Sequence, residues 1–140
     1  MGSTSVFRSA PLTKREVEVV RKAIGRKQFQ PKLCFHNAQR LGLADPTGAL
    51  EYVECYTMEL IHHAWVAIGS KVVDLTLRPG RARRAILGVL PRGHEYVGVR
   101  ISRPYLRAAL QGRSAVCFLD DGKTGYPILP DDASAWKSPR

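Results

Sequence analysis

Cys34, His63 and Asp74 are the residues whose types and order in this chain could do nucleophilic chemistry. Hydrolysis or group transfer by a thiol needs a thiolate, a base that takes its proton, and a group that holds the base in its useful tautomer. Cys34 falls in the first turn of an expected helix, whose positive end favours the thiolate. His63 is the base. Asp74 could accept a hydrogen bond from one ring nitrogen, leaving the other aimed at the sulfur. Asn37, one helical turn after Cys34, could line the same site.

A hairpin has to bring the base and the carboxylate together. Ile61-His62-His63-Ala64-Trp65-Val66-Ala67-Ile68 and Lys71-Val72-Val73-Asp74-Leu75-Thr76-Leu77 are apolar runs joined by Gly69-Ser70, the signature of a two-residue type II′ turn. That turn sets the register: Ile68 faces Lys71, Ala67 faces Val72, Val66 faces Val73, and Trp65 faces Asp74. With a side-chain period of two, His63, Trp65, Val72, Asp74 and Thr76 share one face, and His62 points to the other. His63 and Asp74 become diagonal neighbours, roughly 7 Å apart at Cβ, within reach of an imidazole–carboxylate bond. Trp65 covers the pair and shields it from water.

The remaining elements follow from caps and periodicity. Thr13-Lys14-Arg15-Glu16 fits a capping box, with Leu12 and Val17 as its staple, and opens a helix that stops at Gly25. A second helix starts near Leu33, after Pro31, and is expected to be capped by Gly42. Asp45-Pro46-Thr47-Gly48 is a turn, followed by a strand over 52–57. Residues 81–90 read as helical or irregular, 96–101 as a strand, 104–110 as a short helix ended by Gly112, and 115–119 as a strand. Helices followed by strands predict an α+β fold with an antiparallel sheet. The expected organisation is a disordered segment over 1–10, one domain over 11–130 and a flexible tail over 131–140.

Cys34 at a helix start, Tyr52-Val53-Glu54 in a strand, His63-Ala64-Trp65 in the next and Val73-Asp74-Leu75-Thr76 in a third resemble the transglutaminase-like branch of the papain-like cysteine peptidase and acyltransferase superfamily. The resemblance covers roughly residues 28 to 78. It implies a papain/transglutaminase-like core with the nucleophile at a helix N-terminus packed on an antiparallel sheet, and a Cys34–His63–Asp74 triad working through a thioester. Such a site also needs oxyanion donors. In papain-like enzymes a glutamine at about this distance before the nucleophile serves, which makes Gln28 the candidate and Gln30 the second choice. The chain departs from the family at Leu75, where proline is usual, at Lys32-Leu33, where small residues are frequent, and at Cys55, where glycine is frequent. The interval from Cys34 to His63 is compact, as in minimal bacterial or phage members. The reaction expected is cleavage or transfer of an amide, isopeptide or ester bond in a protein or peptide-like substrate.

Composition narrows the classes further. The 140 residues carry 22 Lys and Arg against 12 Asp and Glu, a formal charge of +10, which attracts anionic partners. Arg78, Arg81, Arg83 and Arg84 concentrate this charge. They support either an acidic substrate held beside the site, with Arg78, Arg81, Asn37 and Trp65 as substrate-binding residues, or a rival reading in which a non-catalytic module binds nucleic acid through Arg81, Arg83 and Arg84. Aromatic residues are not interleaved with the arginines as in a base-stacking platform. The 3 cysteines are too widely spread for a disulfide framework, so a cytoplasmic thiol protein is expected, with Cys55 and Cys117 as core residues. No apolar run is long enough for a membrane span or a signal peptide. Paired metal-ligand spacing is missing, so no metal and no cofactor are expected.

Overall fold

The structure, a computed structural model, describes residues 5–27, 33–56, 62–75, 85–113 and 115. Strand β1 (Ser5–Phe7) is followed by helices α1 (Lys14–Ile24) and α2 (Cys34–Ala44), strands β2 (Leu50–Tyr56), β3 (His62–Ile68), β4 (Lys71–Asp74), β5 (Ile86–Leu87) and β6 (Tyr96–Ile101), and helix α3 (Arg103–Ala109). The fold is α+β, and all strand pairings are antiparallel in the order β1-β6-β2-β3-β4-β5.

Alternation along the strands builds two cores. Ala64, Val66 and Ile68 of β3, with Tyr52, Val73 and Val99, face the helices and pack on Val20, Ala38, Leu41 and Leu106. Trp65 and Ala67 of β3 point the other way, into a cluster with Phe7, Val53, Val72, Ile86 and Tyr96. The sheet curls round this second cluster. The Arg8 N–H donates to the Ser70 carbonyl at 2.9 Å and the Ala10 N–H to the Gly88 carbonyl at 3.1 Å, so the segment after β1 closes on the opposite edge. Gly88 permits that closure. Its φ is +92°, and a Cβ there would overlap the Ala10 carbonyl oxygen.

Helix α1 begins as its residues dictate: Glu16 N–H donates to Thr13 Oγ1 at 3.1 Å, and Thr13 N–H to Glu16 Oε1 at 2.8 Å. Lys71 Nζ also reaches Glu16 Oε1 at 2.8 Å and ties α1 to the hairpin. Val17 is 44% exposed, so it does not serve as a buried staple for Leu12. The turn after α2 is built by Asp45, which accepts from the Thr47 N–H at 3.0 Å, the Thr47 hydroxyl at 2.7 Å and the Leu50 N–H at 2.9 Å.

Three expectations are corrected. Gly42 does not cap α2 but lies inside it, facing Val66 and Tyr52 of the sheet, where a Cβ would make ordinary contacts at 3.6 Å and 3.8 Å. The segment over 1–10 is not wholly disordered, because Ser5, Val6 and Phe7 pair with Gly98, Val97 and Tyr96 and Phe7 is buried. Ile86 and Leu87 form a strand against β4, a pairing too short to leave a periodic signal. The expected strand over 115–119 and the tail over 131–140 lie outside the described residues, apart from 115.

Candidate active site

The hairpin has the register its turn demands: Ile68 pairs with Lys71, Ala67 with Val72 and Val66 with Val73, and Gly69 adopts a φ of +61°. One step further along, where β3 begins and β4 ends, the diagonal pair forms. His63 Nε2 lies 2.6 Å from Asp74 Oδ2. Both residues are buried, His63 at 5% exposure and Asp74 at 1%. Nε2 being committed to the carboxylate, Nδ1 is the ring nitrogen left for another partner.

The candidate nucleophile comes from the first turn of α2. Cys34 occupies the first helical position, is partly exposed, and lies close enough to His63 for its side chain to act on the ionisation of the imidazole. The backbone N–H of a first helical residue has no intrahelical acceptor, so the sulfur sits at the positive end of α2. The electrostatics of the imidazole follow from these neighbours. Burial disfavours its charged form, but the hydrogen bonds to Asp74 and Cys34, with the negative charges behind them, outweigh burial and raise the His63 pKa from 6.5 to about 9. The protonated ring is thereby favoured well above the ordinary imidazole range.

The surrounding packing holds this pair in place. Trp65 is 1% exposed, with its ring centroid 6.1 Å from that of His63 at a tilt of 31°. Phe7 and Tyr96 meet the indole edge-on at 5.8 Å and 4.8 Å. The indole is therefore a buried wall behind the pair, with no open surface of its own for a substrate. Its Nε1 has no hydrogen-bond partner among the described residues. Asn37 is 3% exposed and lines a cavity of about 10 Å³, space for one water, together with Trp65 and Asp74. It is beside the site, on the helix that carries Cys34.

Two features escaped sequence reasoning. Tyr96 donates its hydroxyl to Asp74 Oδ2 at 2.9 Å, the same oxygen that faces His63. The two residues are 22 positions apart on strands that are not neighbours, so no spacing rule could reveal the contact. A buried chain also runs from Gln39 Nε2 to the Tyr52 hydroxyl at 2.8 Å and on to Glu54 Oε2 at 2.6 Å, fastening α2 to β2.

Of the sequence-derived site residues, His63 and Asp74 meet, Cys34 is near enough to influence His63, and Trp65 and Asn37 lie beside them. Gln28, Gln30, Arg78, Arg81, Arg83, Arg84 and Thr76 lie outside the described residues, as does Cys117. Among the described residues no cluster of histidine, cysteine and acidic side chains could hold a metal ion, and no helix is long and apolar enough to cross a membrane. Comparison of the chain with protein-family models, curated proteins and solved structures finds no match.

Proposed function

We propose that the protein is a thiol-dependent hydrolase or acyltransferase that opens an amide, isopeptide or ester bond through a thioester on Cys34. The observation that carries this reading is a buried imidazole whose Nε2 is committed to a buried carboxylate, with the partly exposed Cys34 at a helix start near enough to act on that imidazole. A structural core histidine needs an acceptor; it does not need a partly exposed thiol beside it at the start of a helix.

The geometry divides the reaction among these groups. The Cys34 thiolate attacks the substrate carbonyl carbon, and the oxyanion draws on the N–H at the start of α2, with Gln28 as the side-chain donor. The His63 imidazolium passes its proton to the leaving amine or alcohol, and the carbonyl re-forms as a thioester. The neutral ring then takes a proton from water or an acceptor amine as that group attacks, and the thiolate departs. Asp74 holds the ring's orientation and stabilises its charge throughout. A nucleophile at a helix N-terminus against antiparallel strands that carry base and acid is how the papain/transglutaminase-like reading accounts for the fold. The basic balance of the chain, +10, favours an acidic protein or peptide-like substrate.

The test is alkylation by iodoacetamide at pH 6, where ordinary thiols are protonated, followed by peptide mapping of wild type and His63→Ala. Cys34 should react at least ~10-fold faster than Cys55 and Cys117 in the wild type and lose that advantage in the variant. Equal, slow reaction of Cys34 in both proteins would sink the catalytic reading, and salt-dependent nucleic-acid binding through Arg81, Arg83 and Arg84 would become the reading to test.

A further inference from the structure

We infer that Tyr96 is a positioning residue for the candidate catalytic pair: its hydroxyl fixes the Asp74 carboxylate in the plane that His63 needs. The argument starts from a single oxygen. Asp74 Oδ2 faces His63 Nε2 at 2.6 Å and accepts from the Tyr96 hydroxyl at 2.9 Å. A carboxylate oxygen has two lone pairs lying in the plane of the group, so two donors on it restrict rotation about the terminal torsion. Each donor removes part of that rotational freedom. With both, its plane relative to the imidazole is set.

Tyr96 is suited to this role because it is itself immobile. It is 2% exposed, its ring meets Trp65 edge-on at 4.8 Å, and its backbone pairs with Phe7 of β1. Trp65 in turn stands against His63. Three strands thus converge on the pair: β3 supplies the base, β4 the carboxylate, and β6 the second donor. A buried tyrosine hydroxyl needs some acceptor in any fold. What separates positioning from mere packing is that the acceptor is the oxygen already bound to the imidazole. Sharing also withdraws charge from Asp74, which moderates its hold on the His63 proton. Among the described residues, the titratable side chains that reach His63 are Cys34 on α2 and Asp74 on β4, and Cys55 is its backbone neighbour on β2.

The consequence for catalysis rests on the proposed thiol chemistry, but the test does not. The His63 ring nitrogens are followed by ¹⁵N NMR through a pH titration in wild type, Tyr96→Phe and Phe7→Leu. Tyr96→Phe keeps the ring against Trp65 and removes only the donor; the His63 titration should move up by ~0.5 pH unit. Phe7→Leu loosens the same cluster without touching the pair, and should leave the titration in place. Replacing tyrosine by 3-fluorotyrosine, a stronger donor, should move it down, which keeps the inference testable should Tyr96→Phe not fold. An unmoved titration in Tyr96→Phe, or in the fluorinated protein, overturns the inference. An inert Cys34 in the alkylation experiment, with these shifts present, would remove the catalytic reading alone.

Discussion

His63 Nε2 and Asp74 Oδ2 stand 2.6 Å apart inside the protein, which leaves Nδ1 as the ring nitrogen not engaged by the carboxylate. A two-residue hairpin loop suffices to create this relationship, because it fixes which side chains share a face. Everything the site can do depends on how that pair is charged and supported.

Its charge makes stability depend on pH. The folded-state pKa of about 9 lies above the ordinary 6.5, so protonated His63 contributes stability that is fully present below about 6.5 and is lost as pH rises through 9. The gap in Tm between wild type and His63→Gln should shrink over that window. A gap that stays constant from pH 6 to 10 would mean the ring is not held charged.

Asp74→Asn replaces a buried acceptor of two donors with a group that carries no charge. The variant should lose about 1–3 kcal/mol of stability and cut Cys34 alkylation at pH 6 by ~10-fold or more. Urea unfolding and the alkylation rate check the two effects separately; an unchanged rate in a folded variant would show that Asp74 does not support the imidazolium.

The closure of the sheet depends on Gly88. Alanine there would have to adopt a φ of +92° and displace the Ala10 carbonyl, so Gly88→Ala should cost at least about 1–2 kcal/mol. Faster amide exchange at Ala10 should accompany the loss. Full retention of Tm would show that the edge is not closed in solution.

The first strand can be tested in the same way. Phe7→Ala should destabilise by about 3–5 kcal/mol, since Phe7 packs on Trp65 in the second core, whereas Val6→Ser, at a site 75% exposed, should stay within about 0.5 kcal/mol. Comparable midpoints for the two variants would return residues 5–7 to the unstructured segment.

Asp45 is a test of local chemistry. Burial opposes its charge, yet the Thr47 hydroxyl and the N–H groups of Leu50, Thr47 and Ala49 hold its pKa below 3.8. Its contribution is therefore present above about 3.8 and lost as pH falls through the lower folded value. Asp45→Ala should cost about 1–3 kcal/mol near neutral pH, because the buried Leu50 N–H loses its acceptor. A loss confined to pH below 4 would contradict this.

How far the sequence could be read follows the range of the interactions involved. The capping box of Thr13 and Glu16, the Asp45 turn, the Gly69-Ser70 hairpin and its register, and the limits of β6 rest on residues a few positions apart, and each stands in the structure where local rules put it. Gly42 misled because a glycine near a helix end reads as a stop, whereas the packing of α2 on the sheet carries the helix on to Ala44. β1 and β5 were invisible because strands of three and two residues show no period.

The sequence by itself determined that His63 and Asp74 share a face, since a two-residue loop and a period of two leave no other register. It also determined that Cys34 lies in the first turn of a helix. Only the tertiary structure decided that the helix start lies near enough to influence the imidazole, that Tyr96 donates to the carboxylate, and that Phe7 backs Trp65. Those contacts join residues 22 to more than 50 positions apart, and depend on how the sheet curls and how α2 lies across it. Curl and crossing are set by the packing of both cores at once, a sum over the whole chain that no short stretch of it encodes.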